Sequence, residues 1–295
     1  MKVKLEPGRY IVAVSGGVDS MVLLDMIKKA PSVQLVVAHY DHGIREDSGD
    51  DRRFVQEVAE RLDLPFQYWE GKLGPHASEA VARQARYKFL HRVREAHHAN
   101  AILTAHHEDD LLETAILNII RGTGRKGLTA LGTQRLVIRP LLHITKKDIL
   151  EYAQAQKLDW HEDSTNTDEK YRRNYIRNHL LSKFDINART ALVDIIERSR
   201  ANNAKLDILL ADMMQRQPDI HQLDRRWFAQ LPHKVAKEFL ATWLREHGIK
   251  DFDSKTLERV AVAAKVQHTG ALIDLVGGAS LEVKKDHLAL VRPER

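Results

Sequence analysis

The stretch Ile11-Val12-Ala13-Val14-Ser15-Gly16-Gly17-Val18-Asp19-Ser20 decides how the fold of this chain begins. Its first four residues are apolar and suit a buried strand, and the pattern beyond Ser20 is helical. Glycines let backbone N–H groups approach an anion, and a helix start supplies unpaired N–H groups and a positive dipole end. The stretch therefore predicts a phosphate site on the loop 15–20, with Asp19 placed to hold Mg²⁺ against the phosphate. The alternative is an ordinary glycine turn capped by Ser20.

The next segments alternate between strand and helix patterns, which predicts a doubly wound α/β domain with a parallel sheet. The predicted strands are 10–14, 33–39, 65–69 and 101–105. The predicted helices are 20–29, 48–62, 78–96 and 109–120. Ligands of such sheets bind outside the carboxyl ends of the strands, so the segments that follow the strands are the first candidates for a site. Those segments are 15–20, 40–47, 71–78 and 106–110.

The second half of the chain predicts a change of architecture. An apolar run at 135–142 and a helix at 145–156 continue the first domain, and a long helix at 188–215 follows. Two further helices and three short strands then predict a small α+β domain. These elements are 232–247, 254–267, 272–276, 281–284 and 287–291. We therefore expect an α/β domain at 1–187, a helical linker at 188–218 and a small α+β domain at 219–295.

Composition narrows the classes of chemistry. The 295 residues carry a formal net charge of +5, a moderate basic excess that is compatible with a polyanionic partner. There is no cysteine, which excludes disulfides, thiolate metal sites, iron–sulfur clusters and persulfide chemistry. The chain shows neither a signal peptide pattern nor an apolar run long enough for a membrane span, so we expect a cytoplasmic protein without membrane contact.

Carboxylates beyond two of the predicted strands are the candidate catalytic residues. Asp109, Asp110 and Glu113 begin a helix, and the spacing of Asp109 and Glu113 places them on one helix face. They suit a cationic amine substrate or a second Mg²⁺; the alternative is compensation of the helix dipole. Asp41 and His42 follow the second strand, where they can bind substrate or nucleotide, or cap a turn.

Arginines interleaved with tyrosines are candidates for RNA contact. Arg83 and Tyr87 share a helix face, and Arg86 lies beside them; arginine can pair with phosphate and tyrosine can stack on a base. The segment 170–179 mixes cations and aromatics in the same way and includes Arg172, Arg173 and Arg177. For Arg83, Arg86 and Tyr87 the alternative is a solvated helix face with a half-buried tyrosine. For the segment 170–179 we expect a second use besides RNA contact, in which the segment closes the α/β core with Tyr175 and Ile176 packing inward.

The segment 122–127 fits a Gly-x-Gly-x-x-Gly pattern, but it follows a helix rather than a strand, so dinucleotide binding is not predicted there. We expect a flexible loop whose Arg121, Arg125 and Lys126 face phosphate or RNA. A solvated basic loop is the alternative.

The motifs together resemble a known family. The loop 15–20 is similar to the pyrophosphate-binding loop of the ATP-pyrophosphatase superfamily, and the absence of a following Gly-Lys-Ser/Thr separates it from a Walker A loop. Four further segments resemble tRNA(Ile)-lysidine synthetase. They are His39-Tyr40-Asp41-His42-Gly43-Ile44-Arg45, Ala82-Arg83-Gln84-Ala85-Arg86-Tyr87, Thr104-Ala105-His106-His107-Glu108-Asp109-Asp110 and 163–177, and with the loop they cover most of residues 10–180.

The resemblance implies an adenine nucleotide alpha hydrolase-like fold and a two-step reaction. ATP adenylates the wobble cytidine of an isoleucine tRNA with a CAU anticodon, and the side-chain amine of L-lysine then displaces AMP to give lysidine. It also implies that 219–295 docks tRNA. The resemblance implies that ATP binds the loop residues Ser15, Gly16, Gly17, Val18, Asp19 and Ser20, with Mg²⁺ on Asp19. The catalytic residues that it implies are Asp19, Asp41, His42, Asp109, Asp110 and Glu113. The residues that it implies for tRNA contact are Arg83, Arg86, Tyr87, Arg121, Arg172, Arg173 and Arg177.

Other functions are open to different degrees. Sulfur-inserting tRNA thiolases need catalytic cysteines, which this chain lacks. GMP, NAD and asparagine synthetases remain compatible with the loop alone. A metallohydrolase could use the histidines and carboxylates that follow the strands, namely His39, Asp41, His42, His106, His107 and Asp109. A non-catalytic RNA-binding module would leave the nucleotide loop unexplained, and a homodimer is compatible with the sequence.

Overall fold

A computed structural model gives the structure of the protein. It describes residues 3–43, 48–71, 74, 78–132, 135–161, 172–217, 219, 221–249 and 252–292. Parts of several sequence predictions lie outside these ranges. They are residues 44–45 of the histidine segment 39–45, residues 44–47 of the strand-end segment 40–47, residues 72–73 and 75–77 of the strand-end segment 71–78, residues 163–171 of the family-like segment 163–177, and residues 170–171 of the basic segment 170–179. For Arg172 only the backbone is described.

Five parallel strands form the first sheet. The sequence predicted a parallel sheet and four of these strands, and the fifth lies in the apolar run 135–142. The order of the strands is β3-β2-β1-β4-β5. The chain therefore adds β2 and β3 on one side of β1 and then β4 and β5 on its other side. The strands are β1 (Gly8–Ala13), β2 (Val33–Asp41), β3 (Phe66–Glu70), β4 (Ala101–Leu103) and β5 (Val137–Ile138). The reversal lies between β1 and β4, which pair in register from Tyr10↔Ala101. A crevice for ligands is therefore expected beyond the carboxyl ends of these two strands.

Helices cover both faces of this sheet: α1 (Val18–Ile27), α2 (Ser48–Arg61) and α6 (Lys146–Ala155) pack on one face, and α3 (Glu79–Ala96) packs on the other. The remaining helices as far as residue 215 are α4 (Glu108–Ile120), α5 (Arg125–Leu128), α7 (Arg172–Tyr175) and α8 (Ile186–Gln215). A π turn (Ile176–Leu180) and a 3₁₀ turn (Leu181–Lys183) continue α7. The order of strands and helices confirms the doubly wound α/β prediction.

The strand sequences are continuous apolar runs because each face of the sheet is buried. Val12, Val37 and Leu103 face one core together with α1, α2 and α6. Their neighbours Ile11 and Ile102 face the opposite core, which α3 covers. Alternate side chains of one strand thus enter different cores, which is the expected consequence of a two-residue side-chain repeat.

The chain divides into two compact units. The first consists of Met1–Leu117 and Ala130–Val193, and the second of Asn118–Thr129 and Asp194–Arg295. The second unit has an antiparallel sheet in the order β6-β9-β8-β7 and three further helices. These elements are β6 (Gln222–Asp224), α9 (Arg225–Gln230), α10 (His233–Glu246), α11 (Ser254–Val266), β7 (Leu272–Asp274), β8 (Ser280–Val283) and β9 (His287–Val291). Phe228, Phe239 and Trp243 form the centre of its core.

Several details differ from the sequence predictions. Neither β6 nor α9 was predicted, because three-residue and six-residue elements leave too short a pattern to read. The flexible loop predicted at 122–127 contains the helical turn α5. Arg125 is not directed at a ligand: its guanidinium contacts Asp207 at 2.7 Å and Glu238 at 2.7 Å. Among the described helices, none is both long and apolar enough to cross a membrane.

The tight burial of β4 gives a first testable prediction. Leu103→Ala removes a side chain that is 0% exposed, so we expect the free energy of unfolding to fall by about 2–5 kcal/mol. The same change at Leu136, which is 37% exposed, should cost less than about 1 kcal/mol. Urea unfolding of both variants checks this, and equal losses would contradict the described core.

Candidate active site

Backbone and hydroxyl groups shape the loop that follows β1. The Ser20 hydroxyl accepts hydrogen bonds from the backbone N–H of Ser15 at 3.2 Å and of Gly16 at 3.3 Å, and it donates to the carbonyl of Gly17 at 2.8 Å. Gly16 has a φ of +98°, a conformation that favours glycine. Gly17 is the N-cap of α1 and supplies no capping side chain. The loop thus leaves the N-terminal end of α1 open to an anion.

Asp19 lies in the first turn of α1 and contacts two other elements. Its carboxylate is 2.5 Å from Nζ of Lys146, at the start of α6, and 3.7 Å from Nε2 of His107, which follows β4. The contact with His107 joins the two strand ends at which the sheet order reverses. Lys146 was not predicted as a site residue. A lysine in the first turn of a helix opposes the dipole, and that unfavourable position was the available signal.

A second network sets the spacing of α1 and α6. Asp25, which is buried, accepts from Nζ of Lys29 at 2.7 Å and from the Tyr152 hydroxyl at 2.8 Å. Lys29 also donates to Gln156 at 3.0 Å. These contacts fasten the two helices that carry Asp19 and Lys146.

His107 is held by the helix that it precedes. Its backbone N–H donates to Asp110 at 2.9 Å, and its Nδ1 accepts from the backbone N–H of Asp109 at 3.3 Å. The proton of the neutral ring therefore lies on Nε2, which points to the carboxylates of Asp19 and Asp110, each 3.7 Å away. Burial lowers the pKa of His107, so the ring is neutral near pH 7.

Asp110 and Glu113 share one cation. Nε of Arg177 is 2.5 Å from Glu113, and its Nη2 is 3.7 Å from Asp110. Glu113 is 1% exposed, and burial raises its pKa to about 7 against the opposing charge of Arg177. Burial also acts to raise the pKa of Asp110, but the neighbouring histidines and Arg177 outweigh it, and the pKa lies below its usual value. The site thus holds one ionised carboxylate beside one poised near neutrality.

Asp109 contacts a different cation from Glu113. Arg189, near the start of α8, pairs with Asp109 and with Glu108. The sequence grouped Asp109 with Glu113 on one helix face, whereas the structure joins Glu113 with Asp110. Arg177, which the sequence assigned to tRNA, is the residue that joins them.

The predicted Arg83, Arg86 and Tyr87 cluster is present on α3. The guanidinium carbons lie 4.8 Å and 5.7 Å from the centre of the Tyr87 ring. A fourth residue, Arg139, was not predicted here; it is buried, and its Nη2 is 3.5 Å from the Tyr87 hydroxyl. An arginine inside the predicted apolar run 135–142 was the available signal for it. The cluster presents cations and an aromatic ring close to His106, whose pKa burial lowers to about 3.

The remaining predicted residues have varied surroundings. Asp41 is buried at the end of β2 and accepts from the backbone N–H of Gly43 at 2.7 Å, which is the turn-capping alternative. His42 lies 4.8 Å from the ring of Tyr40. Arg121 is exposed at the end of α4, and Arg173 is half-buried in α7.

The metallohydrolase alternative finds no support in the geometry. Within the described ranges, no three histidine or acidic side chains converge on a point where they could hold a metal ion. Mg²⁺ at a nucleotide needs less, because it is commonly held by one or two carboxylates together with phosphate oxygens and water. Asp19 at the open end of α1, with Asp110 next to the same histidine, fits that kind of site.

The chain is similar in sequence to known proteins. The model of the PP-loop domain family matches residues 2–184. The tRNA(Ile)-lysidine synthase of Thermotoga sp. (strain RQ2) is 40% identical over 188 residues, 60% of this chain and 45% of that protein. That of Thermosipho africanus (strain TCF52B) is 33% identical over 273 residues, 86% of this chain and 62% of that protein. The chain thus spans about half the length of the curated relatives it matches.

A solved structure shares the fold. The U34-tRNA thiolase NcsA from Methanococcus maripaludis, solved with its [4Fe-4S] cluster, superposes with a TM-score of 0.52. It is 20% identical, and the match covers 66% of this chain and 73% of the thiolase chain. At this identity the likeness extends to the fold alone.

The raised pKa of Glu113 predicts a pH dependence of stability. Between the ordinary value of 4.5 and about 7 the folded protein binds more protons at this carboxyl than the unfolded chain, so its contribution to the free energy of unfolding falls as pH rises. The stability of the wild type relative to Glu113→Gln should therefore drop by up to about 3 kcal/mol between pH 5 and pH 8. Urea unfolding of both proteins across this range measures it. If the difference in unfolding free energy between the two proteins does not change with pH, the pKa of Glu113 is not raised.

Proposed function

The chain belongs to the PP-loop family of ATP-binding domains, and from that membership we propose that it is a tRNA(Ile)-lysidine-forming ligase. In this proposal it acts in the cytoplasm, adenylates the wobble cytidine of an isoleucine tRNA with a CAU anticodon, and joins that cytidine to L-lysine. The observation that carries the proposal is the meeting of Asp19, His107 and Asp110 at the reversal of strand order. The nucleotide loop there lies beside carboxylates that can bind an amine.

The loop and Lys146 supply the nucleotide half of the site. The open end of α1 and the N–H groups of the loop bind the pyrophosphate part of ATP, and Lys146 adds a cation beside it. Asp19 would hold Mg²⁺, which offsets the negative charge on the leaving pyrophosphate. The cytosine O2 attacks the α-phosphate, pyrophosphate leaves, and the C2 carbon gains an adenylate leaving group.

The carboxylates of α4 form the part of the site that would bind the amine of lysine. Asp110, with its lowered pKa, remains ionised and attracts the lysine ammonium group. Attack on C2 requires the neutral amine, so a proton must leave the nitrogen. Glu113, whose pKa is about 7, is matched to accept that proton near neutral pH. C2 then loses AMP, and the new carbon–nitrogen bond completes lysidine.

The cluster around Tyr87 suits the tRNA. Arg83, Arg86 and Arg139 surround its ring and hydroxyl, which supports phosphate pairing together with stacking of an extruded cytidine. Arg121, Arg172 and Arg173 remain proposed contacts to the same tRNA, as does docking by residues 219–295. Asp41, His42 and Asp109 remain proposed members of the catalytic set.

One experiment tests the whole proposal. Purified protein is incubated with ATP, labelled lysine and a CAU-anticodon isoleucine tRNA transcript, and the wobble nucleoside is analysed for label. A transcript with uridine in place of the wobble cytidine is the control. Transfer of label to cytidine alone is the expected result. A thiolated or amidated product, or no lysine transfer with active ATP cleavage, would overturn the assignment.

Two adjacent lysines give a matched test of the nucleotide half. Asp19→Ala should abolish tRNA-dependent pyrophosphate release, and Lys146→Ala should lower it by at least tenfold, on the scale of one lost charge-stabilising group. Lys147→Ala should leave the rate within about twofold, because the Lys147 side chain is 84% exposed and pairs only loosely with Glu151. Equal effects of the two lysine changes would refute the role given to Lys146.

The basic segment of α7 predicts a separate effect on tRNA. Arg172→Ala combined with Arg173→Ala should weaken tRNA binding and flatten its salt dependence by roughly one to two units of slope, with ATP affinity nearly unchanged. Filter binding at several salt concentrations measures this. The double variant Arg53→Ala, Lys147→Ala removes the same charge elsewhere and should keep the wild-type slope; unchanged tRNA affinity in the α7 variant would count against the contact.

A further inference from the structure

The edge strand β3 exposes two aromatic side chains on opposite faces of the sheet. Tyr68 is 50% exposed and Trp69 is 49% exposed. Arg52 of α2 lies over the ring of Tyr68 at 5.0 Å, and Arg92 of α3 lies over Trp69 at 5.1 Å. Each side of the strand edge thus presents an aromatic ring joined to a guanidinium.

In the part of the chain that the structure describes, no acidic side chain pairs with the cations of this edge. Over the ranges that the structure describes, Arg52, Lys88 and Arg92 form no ion pair, although Arg53, the neighbour of Arg52, pairs with Asp50. Elsewhere arginines such as Arg125 and Arg177 are neutralised by carboxylates. Unpaired cations around exposed aromatic rings are the combination that binds a nucleic-acid strand, through phosphate contacts and stacking.

Helix α3 connects this edge with the proposed active site. It carries five lysines and arginines against two glutamates. Arg83 belongs to the Tyr87 cluster and Arg92 to the strand edge, about 13 Å further along the helix at 1.5 Å per residue. Lys88, between them, is exposed. A polyanion bound at the Tyr87 cluster would therefore find cations along α3 towards the edge.

The sheet order gives a second measure of the distance. β3 is two strands away from β1, so the edge lies about 10 Å to the side of the nucleotide loop. Trp69 is opposite Tyr40 in the register of β2 and β3, and Tyr40 contacts His42 with ring centres 4.8 Å apart. The edge is therefore within reach of nucleotides that flank a base held at the active site.

We propose that Tyr68, Trp69, Arg52, Lys88 and Arg92, which we name the β3-edge surface, bind the RNA backbone beside the modified nucleotide. The inference rests on the proposed function for the identity of the RNA. The guanidinium groups and Lys88 contact phosphates, and the outer faces of the arginine–aromatic pairs support a ribose or an unstacked base.

A second copy of the chain is a poorer occupant of this surface. A two-fold contact would place the β3-edge surface against itself, and its unpaired cations would then repel one another. Charged side chains flanking an edge strand also oppose strand-to-strand pairing. An RNA backbone complements the same charges.

The experiment measures binding of the CAU-anticodon isoleucine tRNA transcript by the full chain. Trp69→Ala should weaken binding by about tenfold, and Trp69→Phe should restore most of it, because stacking needs an aromatic face. Arg52→Ala with Arg92→Ala should weaken binding by at least as much and reduce the slope of log affinity against log salt by roughly one to two units. The matched control is the double variant Arg53→Ala, Lys147→Ala, whose cations are ion-paired, and it should retain the wild-type slope.

Several measurements separate the outcomes. Thermal unfolding establishes that each variant is folded, and ATP binding should not change. Unaltered tRNA affinity and slope in the Trp69→Ala and arginine variants would overturn the proposal, as would a loss of self-association, seen by sedimentation, without a loss of tRNA binding. If lysine transfer fails but tRNA binding still depends on Trp69 and Arg92, the proposed function fails while the surface stands.

Discussion

Asp19 and His107 come from distant parts of the chain, and the 3.7 Å between their side chains depends on one constraint, the pairing of β1 with β4. The sheet grows away from β1 in both directions, so the loops after these two strands diverge and leave a crevice between them. A nucleotide loop on one side and a carboxylate helix on the other then face each other without any special adjustment. The cations of the site then join the two sides of this contact: Lys146 pairs with Asp19, and Arg177 lies near Asp110.

The charges in the crevice nearly balance. Asp19, Asp110 and Glu113 face Lys146 and Arg177, while His107 is neutral because burial lowers its pKa. With the pKa of Glu113 at about 7, a proton on this carboxyl makes the balance complete at neutral pH. Burying an unmatched third negative charge would cost several kcal/mol, and raising the pKa of one carboxyl avoids that cost. The group that gives up its charge most readily is also the group best suited to exchange a proton.

Local patterns predicted much of the fold, since the apolar runs and glycines of β1 and its loop mark a strand, a turn and a helix within a few residues. The alternation of strands and helices predicted a parallel sheet but not the order of its strands. Contacts across long sequence distances were not predictable: nothing near Lys146 indicates that it pairs with Asp19, nor anything near Arg125 that it is held by Asp207 and Glu238. Arg177 was recognised as a site residue but assigned to tRNA. The sequence pattern of a cation among aromatic residues does not show whether the partner of the cation is a phosphate or Glu113. Elements as short as β6 carry too few residues to show a repeat.

The ion pair between Asp19 and Lys146 has a thermodynamic consequence for ligand binding. A cation that reaches Asp19 alone must displace Lys146, and an anion that reaches Lys146 alone must displace Asp19; either event leaves one charge without its partner. A ligand that brings both signs together replaces both halves of the pair at once. Binding of the two signs is therefore cooperative, and by linkage each improves the affinity for the other by the same factor. If the proposed function holds, the site would in this way favour a metal–nucleotide complex over either component, and this selectivity would come from the ion pair between Asp19 and Lys146 rather than from any contact with the ligand.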